Sequence, residues 1–398
     1  MVGFSLVACS SGVERRPIPI EQIDQAKVPG IPNARYWADV TPENIDAFAD
    51  ELVSQWEVHG TGRDRSLLAI SGGGENGAFT AGLMRAWSEL GTRPEFTVIT
   101  GVSTGALAAP FVFLGPDYDD ELAMVYGGLT PDQIYRPRPW TSIVASASIA
   151  DTAPLRRLIE TYVTDAFIAE IAREHRRGRR LFVQTAFLEA QRAVVWDLGA
   201  IANSEAPNAP EVFRKALLAS ASIPVAFPPV LFEVEVDGAL YDELHVDGGV
   251  LSQTIVLAGW QQALRERLAR SDMEGGFPSF YLLRNARVAP RYKEVNYDLV
   301  EVTARSVLTL IYAQGVVNLL GAYEASQIRG GDYYATWIGA DFDHEPAEPF
   351  DPDYMQKLAA YGYELMHQGR AWRNRPPIFQ DIQVEGGRML GMRALGEM

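Results

Sequence analysis

The feature that most constrains the fold of this chain is a unit of apolar strand, glycine turn and helix that occurs twice in residues 66–114. The first strand, at residues 67–70, leads through a glycine-rich turn into a helical stretch at about 78–90. A second apolar strand at residues 96–100 turns at Gly101 into another helix. Strands that are apolar throughout are typical of a parallel sheet covered on both faces. We therefore predict a three-layer α/β/α sandwich with a mainly parallel central sheet.

The first turn reads G-G-G-E-N-G at residues 72–77. Glycines let backbone N–H groups point together at a ligand, and the helix that follows adds a partial positive charge. Such a loop binds a phosphate or a developing oxyanion. A P-loop does not fit, because Ala78 stands where lysine is needed. A dinucleotide loop fits poorly, because the next strand ends at Thr100 without the acid that holds a ribose.

The second turn supplies a candidate nucleophile for an oxyanion site. Residues 101–105 read G-V-S-T-G, and the glycines allow a strained turn that lifts the hydroxyl of Ser103 above the sheet. The same spacing can also be a packing turn of small residues. The glycine loop one strand upstream favours catalysis, because adjacent parallel strands place both turns at the carboxyl edge of the sheet.

A serine hydroxyl needs a base to become a useful nucleophile. Asp247, in the sequence H-V-D-G-G, is followed by two glycines that suggest a tight turn presenting its carboxylate. An aspartate–glycine turn is common, so this motif by itself is weak evidence.

Taken together and in this order, the three motifs resemble those of the patatin-like phospholipases. The resemblance runs from about Leu67 to Gly249 and includes two softer matches, D-T-A-P-L at residues 151–155 and S-A-S-I-P at residues 220–224. Residues 250–398 carry no motif that extends it.

The resemblance implies a serine–aspartate dyad that cleaves fatty acyl esters without a metal or another cofactor. Ser103 would attack the ester carbonyl, and Asp247 would accept its proton. The oxyanion hole would be formed by Gly72, Gly73, Gly74, Asn76 and Gly77. The supporting turns would use Gly101, Gly105, Gly248 and Gly249. The implied substrate is a phospholipid or lysophospholipid, with simple acyl esters next.

Asn76 departs from the family pattern, which usually has arginine or lysine at this position. Asparagine can donate a hydrogen bond but brings no positive charge, and Glu75 beside it adds a negative one. The departure bears on how well an anionic phospholipid phosphate is tolerated. It is also compatible with a catalytically weak member of the family that binds lipid or a partner without turnover.

Histidines offer an alternative base. His245 lies two residues before Asp247, and such positions share one side of a strand, although a structural role is the simpler interpretation. His344 or His367 would complete the order Ser…Asp…His of α/β-hydrolases.

Composition excludes several other functions. The net charge of −16 disfavours attraction to nucleic acid or to an anionic bilayer. The densest basic run, residues 173–180, is expected to be a solvated helix end. One cysteine and the absence of an H-x-x-x-H pair make a zinc site improbable. Oligomeric state is not predicted.

The single cysteine, Cys9, follows Leu6-Val7-Ala8 in a sequence that is similar to a bacterial lipobox. Such a cysteine is lipidated after signal-peptide cleavage, but only eight residues precede it and none is basic. We expect either a membrane-anchored lipoprotein or, if the match is chance, a cytoplasmic protein.

The rest of the chain is expected to form one domain. Residues 1–35 are predicted to be a lipoprotein signal remnant and a proline-rich tether or strap. Residues 36–398 would be the hydrolase domain with an N-terminal helix at 41–56 and a C-terminal helical extension. Within that extension, helices are predicted at 256–269 and 299–325. We expect the uncharged stretch 306–323 to be a buried helix.

Overall fold

The computed structural model describes residues 15–376, except for 43–44, 60–65, 140, 142–145, 256–261, 264–265, 268, 271–278 and 330–331. Its centre is a nine-stranded sheet. The strands are β1 (Arg35–Trp37), β2 (Ser66–Ile70), β3 (Val98–Val102), β6 (Arg180–Phe187), β7 (Arg192–Asp197), β8 (Val230–Val236), β9 (Ala239–Asp247), β10 (Ser279–Arg287) and β11 (Tyr333–Ile338), while β4 (Arg136–Pro137) and β5 (Ala150–Asp151) form a separate pair.

The sheet has the order β1-β7-β6-β3-β2-β10-β11, and β9 pairs with both β6 and β8. Five of the nine strands are mutually parallel, namely β6, β3, β2, β10 and β11. The other four, β1, β7, β8 and β9, pair in antiparallel fashion. Strand β10 therefore lies between β2 and β11, inside the sheet. The carboxyl ends of β2 and β3 lie at one edge, as the two glycine turns predicted.

Helices cover both faces of this sheet. They are α1 (Ile45–His59), α2 (Gly77–Glu89), α3 (Thr104–Leu114), α4 (Asp119–Gly127), α5 (Pro131–Ile134), α6 (Ala153–Tyr162), α7 (Asp165–Arg176), α8 (Leu198–Ala202), α9 (Ala209–Ser220), α10 (Leu299–Arg329) and α11 (Pro352–His367). The largest core joins alternate strand residues to α2, α3, α6, α7, α9 and α11. The other face packs against α1 and α10. The predicted three-layer α/β/α sandwich is confirmed.

Helices α2 and α11 approach closely enough for their backbones to touch. A Cβ on Gly82 would lie 1.9 Å from the carbonyl oxygen of Ala359, and one on Gly362 would lie 2.7 Å from that of Phe79. Glycine is required at both positions because any side chain would separate the helices. The C-terminal helix thereby supports the helix that begins at the glycine loop.

The structure corrects the prediction for residues 306–323. They lie in α10, but only 17% of the apolar window within Glu301–Gln327 is buried. By length and composition alone this segment could cross a membrane, and it is the only described helix to meet that test. Hydropathy located the helix correctly, but it could not distinguish a buried helix from an exposed apolar one.

Other differences concern the two ends of the chain and the basic run. Residues 250–398 contribute β10 and β11 to the sheet, so this region is more than a helical extension. The N-terminal helix begins at Ile45 rather than at residue 41. Arg179 and Arg180 are buried rather than solvated, and Arg179 pairs with Glu174 at 3.0 Å.

The N-terminal segment, expected as a tether or strap, lies along the β8–β9 hairpin from residue 15 onward and buries Val28 and Ile31 in the core. Cys9 and most of the helix predicted at 256–269 lie outside the described residues.

Candidate active site

Ser103 occupies the sharp turn between β3 and α3, as the motif predicted. Its backbone has φ 56° and ψ −125°, a conformation that L-residues rarely adopt. Gly105 makes the turn possible, because a Cβ there would lie 2.3 Å from the carbonyl oxygen of Ile70. The strain is held by the surrounding packing and is typical of functional positions.

A buried serine from a distant helix fixes this turn. The backbone N–H of Ser103 donates to Oγ of Ser220 at 2.9 Å, and that hydroxyl donates to the carbonyl of Gln184 at 2.7 Å. Ser220 ends α9 and belongs to the small-residue segment noted in the sequence. It thereby joins β3, β6 and α9 directly beneath the candidate nucleophile.

Asp247 ends β9 and lies beside Ser103. Its carboxylate accepts a hydrogen bond from the backbone N–H of Gly249 at 2.7 Å and lies close enough to the Ser103 hydroxyl for that hydroxyl to affect its pKa. Its own N–H donates to the carbonyl of Ser222 at 2.9 Å. The side chain is buried, and burial raises the pKa of Asp247 to about 7, against the opposing effects of Ser103 and Gly249. A carboxylate with such a pKa is a far better base at neutral pH than an ordinary one.

The glycine loop approaches the serine from the end of β2. A Cβ on Gly72 would lie 3.0 Å from Cβ of Ser103, so a side chain at this position would press on the candidate nucleophile. Gly74 has φ +58° and lines the same pocket as Ser103. Gly77 begins α2 and packs beneath the ring of Tyr126. The candidate oxyanion loop and the candidate nucleophile are therefore adjacent.

Asn76, the departure from the family pattern, is held by the C-terminal helix. Its Oδ1 accepts a hydrogen bond from the Tyr354 hydroxyl at 2.7 Å. Beside it, burial raises the pKa of Glu75. The loop itself therefore carries an acid and no cation at residues 72–77.

An apolar pocket opens beside Ser103. It encloses about 510 Å³ of empty space, including its opening to solvent. Its lining is almost entirely aliphatic and aromatic, and it includes Leu107, Leu129, Leu155, Phe227 and Met355. Such a lining suits an acyl chain and offers little to a charged ligand. Leu155 comes from the 151–155 patch noted in the sequence.

The histidines have other partners. His245 is fully buried, with Nδ1 2.8 Å from Oγ1 of Thr185 and Nε2 3.1 Å from Oε2 of Glu243. Glu243 in turn pairs with Arg35. Both ring nitrogens of His245 are thus engaged within a buried network beneath the sheet edge.

The two later histidines lie away from Ser103 or face solvent. His367 lies 3.7 Å from Glu89, at the far end of α2 and so roughly 18 Å along that helix from the glycine loop. His344 is exposed and packs against the ring of Phe342. Among the described residues, no three His, Cys, Asp or Glu side chains are grouped to hold a metal ion.

Sequence reasoning missed several residues that support the site. Gln253 donates from Nε2 to the carbonyl of Gly249 at 3.0 Å. Asn285, at the end of β10, donates from Nδ2 to the carbonyl of Ser71 at 3.0 Å and from its backbone to Oγ of Ser71 at 2.9 Å. A Cβ on Gly73 would lie 2.1 Å from the carbonyl oxygen of Asn285. No local pattern marks these residues, because their partners are distant in the chain.

A strained serine at a strand–helix turn, next to a glycine loop and an apolar pocket, is characteristic of α/β ester hydrolases. Residues 68–260 match the family model described as patatin-like phospholipase. The matched residues, which include both Ser103 and Asp247, form a patatin-like phospholipase domain. The match supports a lipid ester hydrolase that acts on lipid substrates. No curated protein matches the chain.

Several solved structures are similar to this chain at low identity. VipD from Legionella pneumophila is 12% identical with a TM-score of 0.39, over 91% of this chain and 71% of VipD. Human GIVD cytosolic phospholipase A2 is 9% identical with a TM-score of 0.34, over 84% and 64% of the two chains. The type III effector protein ExoU is 12% identical with a TM-score of 0.21, over 77% and 53%. These TM-scores, all below 0.5, bear on neither substrate nor mechanism.

Proposed function

We propose that this protein hydrolyses fatty acyl ester bonds of lipids with a Ser103–Asp247 dyad. The observation that carries the proposal is the position of the Ser103 hydroxyl beside the buried Asp247 carboxylate, next to an apolar pocket that Ser103 lines. The raised pKa of Asp247 lets this carboxylate accept a proton near neutral pH.

In the proposed reaction, Asp247 accepts the proton of Ser103 as its Oγ attacks the ester carbonyl. Backbone N–H groups of Gly72, Gly73 and Gly74, with the start of α2 behind them, would stabilise the oxyanion. Collapse of the tetrahedral intermediate releases the alcohol, which takes the proton from Asp247. Water, activated by the same carboxylate, then hydrolyses the acyl-enzyme and regenerates Ser103.

The substrate is proposed to be a phospholipid or lysophospholipid, with simple acyl esters next. The apolar pocket would take the acyl chain. Glu75 and Asn76 leave the loop without a cation, so we expect net anionic head groups to be poorer substrates than zwitterionic or uncharged ones. An acyl-ester panel that differs only in head group measures this preference.

An active-site-directed fluorophosphonate tests the nucleophile. We expect it to label the wild-type protein and not Ser103→Ala. Asp247→Asn should lose turnover, while His344→Ala and His367→Ala, which change exposed side chains, should keep it. Folded wild-type protein that is not labelled would refute the enzyme, and a large loss from one histidine variant would favour a Ser-Asp-His triad.

A further inference from the structure

Helix α10 presents an apolar face to solvent. From Ser306 to Tyr323 it has no charged residue, in a chain whose net charge is −16. Leu299, Leu310 and Val317, which share one side of the helix, are 83%, 69% and 64% exposed. Helices on the surface of soluble proteins usually point such residues inward, so this arrangement requires an explanation.

The polar residues of the same helix point into the protein. Gln314 donates to the carbonyl of Val250 at 3.2 Å, and Oδ1 of Asn318 accepts from the backbone N–H of Gln253 at 2.8 Å. Both partners lie in the segment that follows Asp247. The side of α10 that packs on the protein combines these two amides with apolar residues such as Leu319 and Ala322, and the amides join the helix to the segment beside the candidate active site.

The helix extends past the edge of the sheet where Ser103 lies. The carbonyl of Leu319 accepts from the hydroxyl of Tyr333, at the start of β11, whereas the hydroxyl of Tyr312 donates to the carbonyl of Val288, just beyond the end of β10. Since α10 thus runs antiparallel to these strands, residues 299–311 project beyond the carboxyl edge by roughly 20 Å.

The chemistry of this projecting half matches a lipid surface. Leu299, Leu308 and Leu310 are exposed on it, and Tyr292 and Tyr297, which precede it, are 81% and 104% exposed. Tyrosine is favoured at the boundary between water and acyl chains. The projecting half carries one acid and one base, Glu301 and Arg305, and residues 306–323 carry no charge, which suits a zwitterionic surface. The acidic remainder of the chain would be repelled by an anionic surface.

We infer that the exposed apolar face of α10 docks the protein onto a zwitterionic lipid surface, with the helix lying along that surface and its projecting half beside the carboxyl edge where Ser103 lies. The helix would not span the bilayer, because its other face packs on β10 and β11. The inference rests on the proposed function, since docking in this orientation would deliver lipid esters to Ser103.

Flotation with phosphatidylcholine vesicles tests the docking. All proteins carry Cys9→Ser, so that no acyl chain on Cys9 contributes. We expect Leu310→Asp/Val317→Asp to bind vesicles about tenfold or more weakly than the parent. The matched control, Ile20→Asp/Leu240→Asp, changes two residues that are 76% and 42% exposed elsewhere and should float like the parent. A parent that does not float, or equal flotation by both variants, overturns the docking.

Hydrolysis separates docking from folding and from catalysis. The α10 variant should keep its activity on a soluble short-chain ester but lose activity on vesicles, and the milder Leu310→Ser/Val317→Ser should show the same pattern. If no ester is cleaved while flotation still depends on Leu310 and Val317, the proposed function fails and the docking stands. If light scattering shows that the α10 variant converts a dimer to a monomer without a change in flotation, a second copy covers this face and the inference is wrong.

Discussion

Asn285 holds Ser71, the residue that precedes the glycine loop, by two hydrogen bonds, one from its side chain and one from its backbone. The bonds join the end of β10 to the end of β2. Since the loop would hold the oxyanion within a few tenths of an ångström, the position of Ser71 should matter to catalysis more than to substrate binding.

We therefore expect Asn285→Ala to lower kcat on a soluble ester by about tenfold or more with little change in KM. Thr80→Val is the matched control, because it removes the 2.7 Å bond from Thr80 to Oδ1 of Asn285 but leaves both bonds to Ser71. Equal losses of kcat in the two variants would show that Asn285 stabilises the fold and does not position the glycine loop.

The pH dependence of hydrolysis should follow Asp247. Burial raises its pKa to about 7, and the proposed base acts only when it is ionised. Activity on an uncharged ester should therefore rise with pH and level off above neutrality, with kcat/KM at pH 6 about tenfold below the plateau. A profile that is flat between about pH 5.5 and 8.5 would contradict this assignment.

Stability should change with pH in the opposite sense. The folded-state pKa of Asp247 lies above its unfolded value, so the protein takes up a proton when it folds between about pH 4 and 7. The stability that the protonated side chain contributes is therefore lost as the pH rises through about 7. Asp247→Asn should thus be more stable than the wild type at pH 8, by up to about 4 kcal/mol relative to the difference at pH 4. Urea unfolding of both proteins at pH 4 and pH 8 measures the difference in their free energies of unfolding. If that difference is the same at both pH values, burial does not penalise the ionised carboxylate.

The strained backbone of Ser103 predicts a stability difference between two inactive variants. Ser103→Gly removes the Cβ that disfavours φ 56°, whereas Ser103→Ala keeps it. We expect the glycine variant to be more stable than the alanine variant by about 1 kcal/mol in thermal or urea unfolding. Ala108→Gly, at an ordinary helical position in α3, should show the reverse sign. A glycine variant that is less stable than the alanine variant would indicate that the turn is unstrained.

Local signals were sufficient to predict the central strands and the turn at Ser103. Apolar strands bounded by glycine turns define their own ends, and G-x-S-x-G has few ways to connect a strand to a helix. Asp247 was assigned mainly from the family order. The roles of both residues stay predictions until the variants above are measured.

Long-range contacts could not be predicted in this way. Ser220 is 117 positions from Ser103, and Asn285 is 214 positions from Ser71, so no periodicity connects them. The burial of residues 306–323 was predicted wrongly because composition reports how apolar a segment is and not what surrounds it. The α10 helix packs one side on β10 and leaves the other in solvent.

The position of β10 has a consequence for how the protein can be divided. The family match ends at residue 260, yet β10 (Ser279–Arg287) pairs along the whole length of β2, whose five residues are all buried. A fragment that stops at the end of the match would leave β2 as an exposed, apolar edge strand with unpaired N–H and C=O groups. Such an edge is a template for aggregation. The segment that carries Ser103 and Asp247 is therefore expected to precipitate when produced alone.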